Sequence, residues 1–180
     1  LDTTEDYRVQ PTGTVTWNHE NPRPADAPAV PGSLKVVGSN TLNYFITIDP
    51  DSNDNDNFTA DNVCGPNYDG NTANGMECRG ADSANEFTRQ HDKLINMLVE
   101  LDADIVGLNE LENNAAASPA NDDNDPVLES IVDALNAQLG AGTYDFIDTG
   151  AIGGDAIKVG MIYKPASVTP VGSFNVLTSA

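Results

Sequence analysis

The chain has 180 residues, with 28 acidic against 8 basic, and a formal net charge of −20. That length suits one domain or part of a larger one, and the charge keeps the chain soluble and repels nucleic acid and anionic membranes through its mean field. No apolar run approaches the roughly 18 residues that would span a bilayer.

The opening Leu-Asp-Thr-Thr-Glu-Asp-Tyr is no signal peptide and reads as the interior of a longer chain or a processed terminus. Adaptation to a salty or calcium-rich surrounding is the plain explanation of the acidity.

Residues 1–33 read as a lead-in. Pro22, Pro24, Pro28 and Pro31 interrupt any helix or central strand, so 20–33 is expected to be an extended Pro-rich linker. Val15-Thr16-Trp17 either pairs as an edge strand or closes a preceding domain. The packed domain, 34–180, opens with a strand over 34–42. A polar loop follows over 46–82, and a loop of that length is functional or an insertion. Its Asp49–Asp56 stretch resembles a calcium loop only loosely. Asp54 and Ala60 stand where an EF-hand needs Gly and Glu, so a solvated acidic loop is expected. Cys64 and Cys78 bracket a Gly/Asn/Asp-rich segment with no C-x-x-C. The expectation is a disulfide formed in an oxidising compartment, with two buried free thiols as the alternative.

Ser83-Ala84-Asn85-Glu86 is a capping box that starts a helix over 83–101. Phe87, Leu94, Ile95, Leu98 and Leu101 give it one apolar face. Asp102-Ala103-Asp104 breaks it, and a strand over 105–111 follows. After a polar loop over 113–125, Asp125-Pro126 begins a second helix, whose stripe is Val127, Leu128, Ile131, Val132, Leu135 and Leu139. Gly140 stops it. Strands are expected over 144–148 and 156–163, with Val168–Val171 returning as a hairpin partner. No internal repeat is visible. The order of elements predicts a mixed α/β domain.

The chemistry concentrates at two strand ends. The apolar run Ile105-Val106-Gly107-Leu108 delivers Glu110 to the C-terminal mouth of a core strand, where α/β proteins place ligands. Leu34–Val37 leads in the same way to Asn40. If the two strands are parallel neighbours across the intervening helix, Asn40 and Glu110 share one rim. A carboxylate and an amide oxygen there suggest a hard-metal site. Read alone, Asn40 also fits a turn residue, and Glu110 also fits a loop cap or a partner of Arg79 or Lys93. Asp155 and Lys158 read as edge charges. His91 is expected on the solvated side of its helix.

Three segments, L-K-V-V-G-S-N-T-L-N-Y-F at 34–45, C-R-G-A-D-S-A-N-E-F at 78–87 and D-I-V-G-L-N-E-L-E-N-N at 104–114, supported by D-A-I-K-V-G-M-I-Y-K-P at 155–165, carry a resemblance. Residues 34–172 resemble the first half of an endonuclease/exonuclease/phosphatase domain, most closely the secreted bacterial nucleases of that superfamily. The resemblance implies the N-terminal half of a DNase I-like four-layered α/β sandwich, a mixed sheet flanked by helices. It implies Asn40 and Glu110 as catalytic metal-site residues holding Mg²⁺, with Mn²⁺ or Ca²⁺ as alternatives. Asn43, Glu112 and Asn113 are expected at the substrate, and the cysteine pair matches the secreted subgroup.

The match departs at Ser39, where the subgroup carries an aromatic residue. The second half of the family domain, with its catalytic histidines, is not represented. His19 and His91 match no family catalytic position. The expected function is a secreted, metal-dependent DNA nuclease whose partner is the missing C-terminal half, with the chain inactive by itself. The alternatives are a phospholipid phosphodiesterase of the same superfamily and a calcium-stabilised, non-catalytic module of a secreted or surface protein.

Overall fold

A computed structural model of the chain describes residues 10–18, 31–48, 63–65, 75–113 and 125–177. The linker at 20–30 and the acidic loop at 49–62 lie outside the described residues. Packing divides the chain into Leu1–Pro31 and Gly32–Ala180. In the first unit residues 10–18 take no helix or strand, so Val15-Thr16-Trp17 is not an edge strand.

The second unit is a mixed α/β structure. Its elements are β1 (Val36–Tyr44), β2 (Val63–Cys64), β3 (Met76–Glu77), α1 (Ala84–Leu101), β4 (Ile105–Glu112), α2 (Pro126–Leu139), β5 (Asp145–Phe146) and β6 (Ile157–Tyr163). Four strands form one sheet in the order β1-β4-β6-β5, and β2 and β3 form a separate antiparallel pair. β1 and β4 are parallel and joined through α1, while β6 runs antiparallel to both its neighbours.

Each helix starts where its side chains satisfy the first free amides. Ser83 Oγ accepts from Glu86 N at 3.3 Å, and Glu86 reaches back to the amide of Asp82. Asp125 caps α2 by accepting from Leu128 N at 3.2 Å. α1 ends at a left-handed Asp102, and α2 ends at Gly140. The buried stripes Leu94, Ile95, Leu98 and Val127, Leu128, Ile131, Leu135 pack with Val106, Leu108 and Ile162 into one core. Both helices therefore cover the same face of the sheet. Strand alternation turns Val36, Val159 and Met161 to the opposite face, where they remain 66%, 54% and 45% exposed.

Three expectations change. Val168–Val171 forms no strand, because both hydrogen-bonding edges of β6 are taken by β4 and β5. The chain turns instead at Lys164, whose carbonyl accepts from Ser167 N and Val168 N. Lys158 is no edge charge. Its side chain is buried against the equally buried Asp125 and also donates to the Gly150 carbonyl at 2.8 Å. His91 is half-buried, not on the solvated side of its helix. It packs in a cluster of three rings with Tyr44 and Phe87, with Nδ1 2.6 Å from the Tyr44 hydroxyl. Burial pushes that hydroxyl up to about 12, opposed by a hydrogen bond with Ser130.

Candidate metal centre

β1 and β4 run in register from Val36↔Ile105 to Asn40↔Asn109, and the register then shifts before Tyr44↔Leu111. β4 shifts against β6 at the same level, between Leu108 and Leu111. Both irregularities fall at the C-terminal ends of the parallel strands. Uninterrupted alternation would put Glu110 on the helix-covered face with Val106 and Leu108. The bulge re-aims it, and its carboxylate meets Asn40, which shares the open side of β1 with Val36. Asn40 Nδ2 donates to Glu110 Oε1 at 2.7 Å, and Asn43 N donates to Glu110 Oε2 at 3.2 Å. The structure thus brings Asn40, Asn43 and Glu110 together, and neither Arg79 nor Lys93 pairs with Glu110.

This rim is strained. Leu42, Asn43 and Glu110 have φ of 56°, 53° and 60°. Asn tolerates that region, but for Leu and Glu it costs about 1–2 kcal/mol each. Side chains that answer the displaced carbonyls hold the distortion in place. Thr41 Oγ1 lies 2.8 Å from Asn109 O and 3.1 Å from Glu110 O, and Gln90 Nε2 from α1 lies 3.0 Å from Leu42 O and 3.3 Å from Asn43 O. Strain maintained by such support at one edge of a sheet points to a functional site.

Glu112 and Asn113 sit elsewhere. Both are fully buried, so neither lines an open groove. Glu112 accepts from the amides of Ile46 and Thr47 at 2.8 and 3.0 Å and from Thr47 Oγ1 at 2.6 Å, which fastens the chain after β1 to β4. Asn113 donates to the carbonyls of Ile152 and Asp155 and accepts from Ile152 N. A buried carboxylate needs such donors. Beside Glu112 lies the Cys64–Cys78 disulfide, with Cα atoms 5.1 Å apart, packed on Phe45 and Ala156. Cys64 Sγ is 3.3 Å from Glu112 Oε1. A disulfide sulfur carries no proton, so this is contact and not donation.

Among the described residues no three His, Cys, Asp or Glu gather as a metal cluster. One carboxylate and one amide do meet at a rim where Asn40 is exposed and Glu110 half-buried. That donor set suits Mg²⁺, which keeps several waters and takes few protein carboxylates. A cavity of about 480 Å³ opens beside it, between the end of β1 and the N-terminal half of α1. Gln90 and Thr41 escape a reading of the sequence alone, because a glutamine on a helix and a threonine on a strand are ordinary in isolation.

Compared with family models, curated proteins and solved structures, the chain finds no match in any of the three.

Proposed function

We propose that the rim formed by β1 and β4 is the metal-binding part of a phosphodiester hydrolase, a secreted DNA nuclease being the favoured form. The observation that carries this reading is the 2.7 Å contact between Asn40 and Glu110, 70 residues apart in sequence, at the adjacent ends of two parallel strands. These are the two residues that the resemblance assigns to the metal. The strain at Glu110 and Leu42 supports the same reading, since a fold without use for the rim gains nothing by it. Among the described residues, the sheet face that carries Val36, Val159 and Met161 stays largely exposed, which fits a sandwich layer of the DNase I-like kind. The disulfide is consistent with an extracellular setting.

Glu110 would supply the negative charge that holds the cation, and Asn40 a neutral oxygen ligand through its Oδ1, which here accepts from Leu42 N at 2.8 Å. A divalent ion there would polarise a phosphoryl oxygen and neutralise charge in the in-line transition state. Asn43 fixes the Glu110 carboxylate through its amide. No histidine of the chain is offered as acid or base: His91 is committed to Tyr44, and His19 lies outside the described residues. The 180-residue chain alone is therefore expected to cleave DNA very slowly, because general acid–base catalysis contributes roughly 10²–10⁴-fold.

The test has two arms. Mg²⁺ affinity is measured on the chain itself, and Mg²⁺-dependent DNA cleavage on a longer form of the protein, each with wild type and Glu110→Gln. Loss of both in a folded variant supports the proposal, and robust cleavage by Glu110→Gln contradicts it.

A further inference from the structure

We propose that the cavity between the end of β1 and α1 is a groove for the phosphates of a nucleic-acid strand, held by Arg79, Arg89 and Lys93. The inference rests on reading the adjacent rim as a phosphodiester site. It starts from where the few cations lie. Of eight basic residues, Arg8 and Arg23 fall outside the described segments, which leaves six. Three of these are occupied in the scaffold. Lys35 donates to the Leu101 carbonyl at 2.9 Å, Lys158 is buried on Asp125, and Lys164 holds Asp102 at 2.5 Å. The other three all line the cavity beside Asn40 and Asn43. In a chain of net charge −20 the lining of this cavity holds three cations against one carboxylate, Glu86, and a local excess of positive charge is what lets an acidic protein attract an anion.

The geometry suits an extended polyanion. Arg89 and Lys93 are four residues apart on α1, hence on one face, and both are exposed. Arg79 approaches from the segment before the helix. Arg79 pairs with Asp155 at 3.2 Å and Arg89 with Glu86 at 3.8 Å, and in both pairs the side chains are more than two-fifths exposed. Exposed pairs of this kind hold weakly, while Arg binds phosphate oxygens in a fork, so phosphate can displace them. Lys93 pairs with no described carboxylate. Gln90 lies between Arg89 and Lys93 and donates to the carbonyls of Leu42 and Asn43, which fixes the basic face at a set distance from Asn40. A strand lying along these cations would therefore end against the Asn40–Glu110 rim. The cavity, about 480 Å³, is of the size that holds a small organic ligand.

The experiment is fluorescence anisotropy of the 180-residue chain with a labelled DNA single strand of about 12 nucleotides, in chelator, across a salt series. Four proteins are compared: wild type, Arg89→Gln/Lys93→Gln, Lys164→Gln and Glu110→Gln, each with a melting curve. The double variant should bind more weakly, with a log–log salt slope shallower by about 1.4, since each single-strand phosphate contact contributes about 0.7. Lys164→Gln should bind as wild type does, and Glu110→Gln at least as tightly, because it removes a negative charge beside the groove. Wild-type affinity and slope in the folded double variant would overturn the proposal. So would an equal loss in Lys164→Gln, or binding to phosphatidylserine vesicles with none to the strand. Binding is read without metal or turnover, so this result and the metal titration fail independently.

Discussion

The bodies of β1 and β4 and their C-terminal ends are built on opposite rules. From Val36 to Asn40 and from Ile105 to Asn109 the strands pair residue for residue, and Val106 and Leu108, with Val37 packed against them, lie in the core. Within the next three residues the register shifts, three non-glycine residues turn left-handed, and a carboxylate meets an amide. The body is where the sequence relaxes into its preferred conformation, and the end is where it is held away from it. A fold can carry a strained rim only because a regular, well-packed strand stands directly beneath it.

That contrast can be broken from either side. The largest effect is expected in the body. Leu108→Ala removes a fully buried side chain from the core and should cost about 2–5 kcal/mol, read as a lowered denaturant midpoint. Next comes the disulfide, which ties the loop after β1 to the segment before α1. Cys64 and Cys78 are 14 residues apart, and losing their bond should cost about 3 kcal/mol in the chain-entropy model. Intact mass under non-reducing conditions should show two hydrogens fewer than the thiol form.

Tyr44 marks the boundary between body and end. Its hydroxyl is raised from 10.0 to about 12 by burial, so the folded state keeps a proton that the unfolded state has released. The stability it contributes is fully present below pH 10 and is lost as pH rises towards about 12. The whole contribution is on the order of 2–3 kcal/mol. Tyr44→Phe should flatten the fall in stability between pH 10 and 12, measured by denaturant titration at several pH values.

The smallest effect has the opposite sign. Leu42 is 77% exposed at φ 56°, so Leu42→Gly gives up little burial and relieves the left-handed strain. It should raise stability by up to about 1 kcal/mol in the same assay. Destabilisation by Leu42→Gly would mean that the rim is not strained.

Legibility in the sequence follows the same division. Helices α1 and α2 were readable because capping residues and apolar periodicity agree at Ser83–Leu101 and Asp125–Gly140. The parallel pairing of β1 with β4 was readable because an apolar run, a helix and a second apolar run leave one short right-handed route. Asn40 and Glu110 were placed on a common rim by that topology, though the bulge that makes them touch has no local signature. Glu112 and Asn113 could not be assigned from the motif alone. Alternation suggests where a side chain points, but the same bulge turned residues 111–113 inward together, and only three-dimensional partners such as Thr47 and Ile152 show why these polar groups are buried. Lys158 misled for a related reason. A lysine near a strand's start looks like an edge charge until Asp125, 33 residues earlier, is found against it.

The central claim is that the distorted ends of β1 and β4 form a divalent-cation site. Calorimetric titration of Mg²⁺ into the wild-type chain and into Glu110→Gln, each with its melting curve, tests it most directly. Losing a supporting residue at a metal site costs about 10–100-fold in affinity. Losing the one charged ligand should therefore cost at least on the order of 100-fold, at an almost unchanged melting temperature. Equal Mg²⁺ affinity in the two folded proteins would contradict the account.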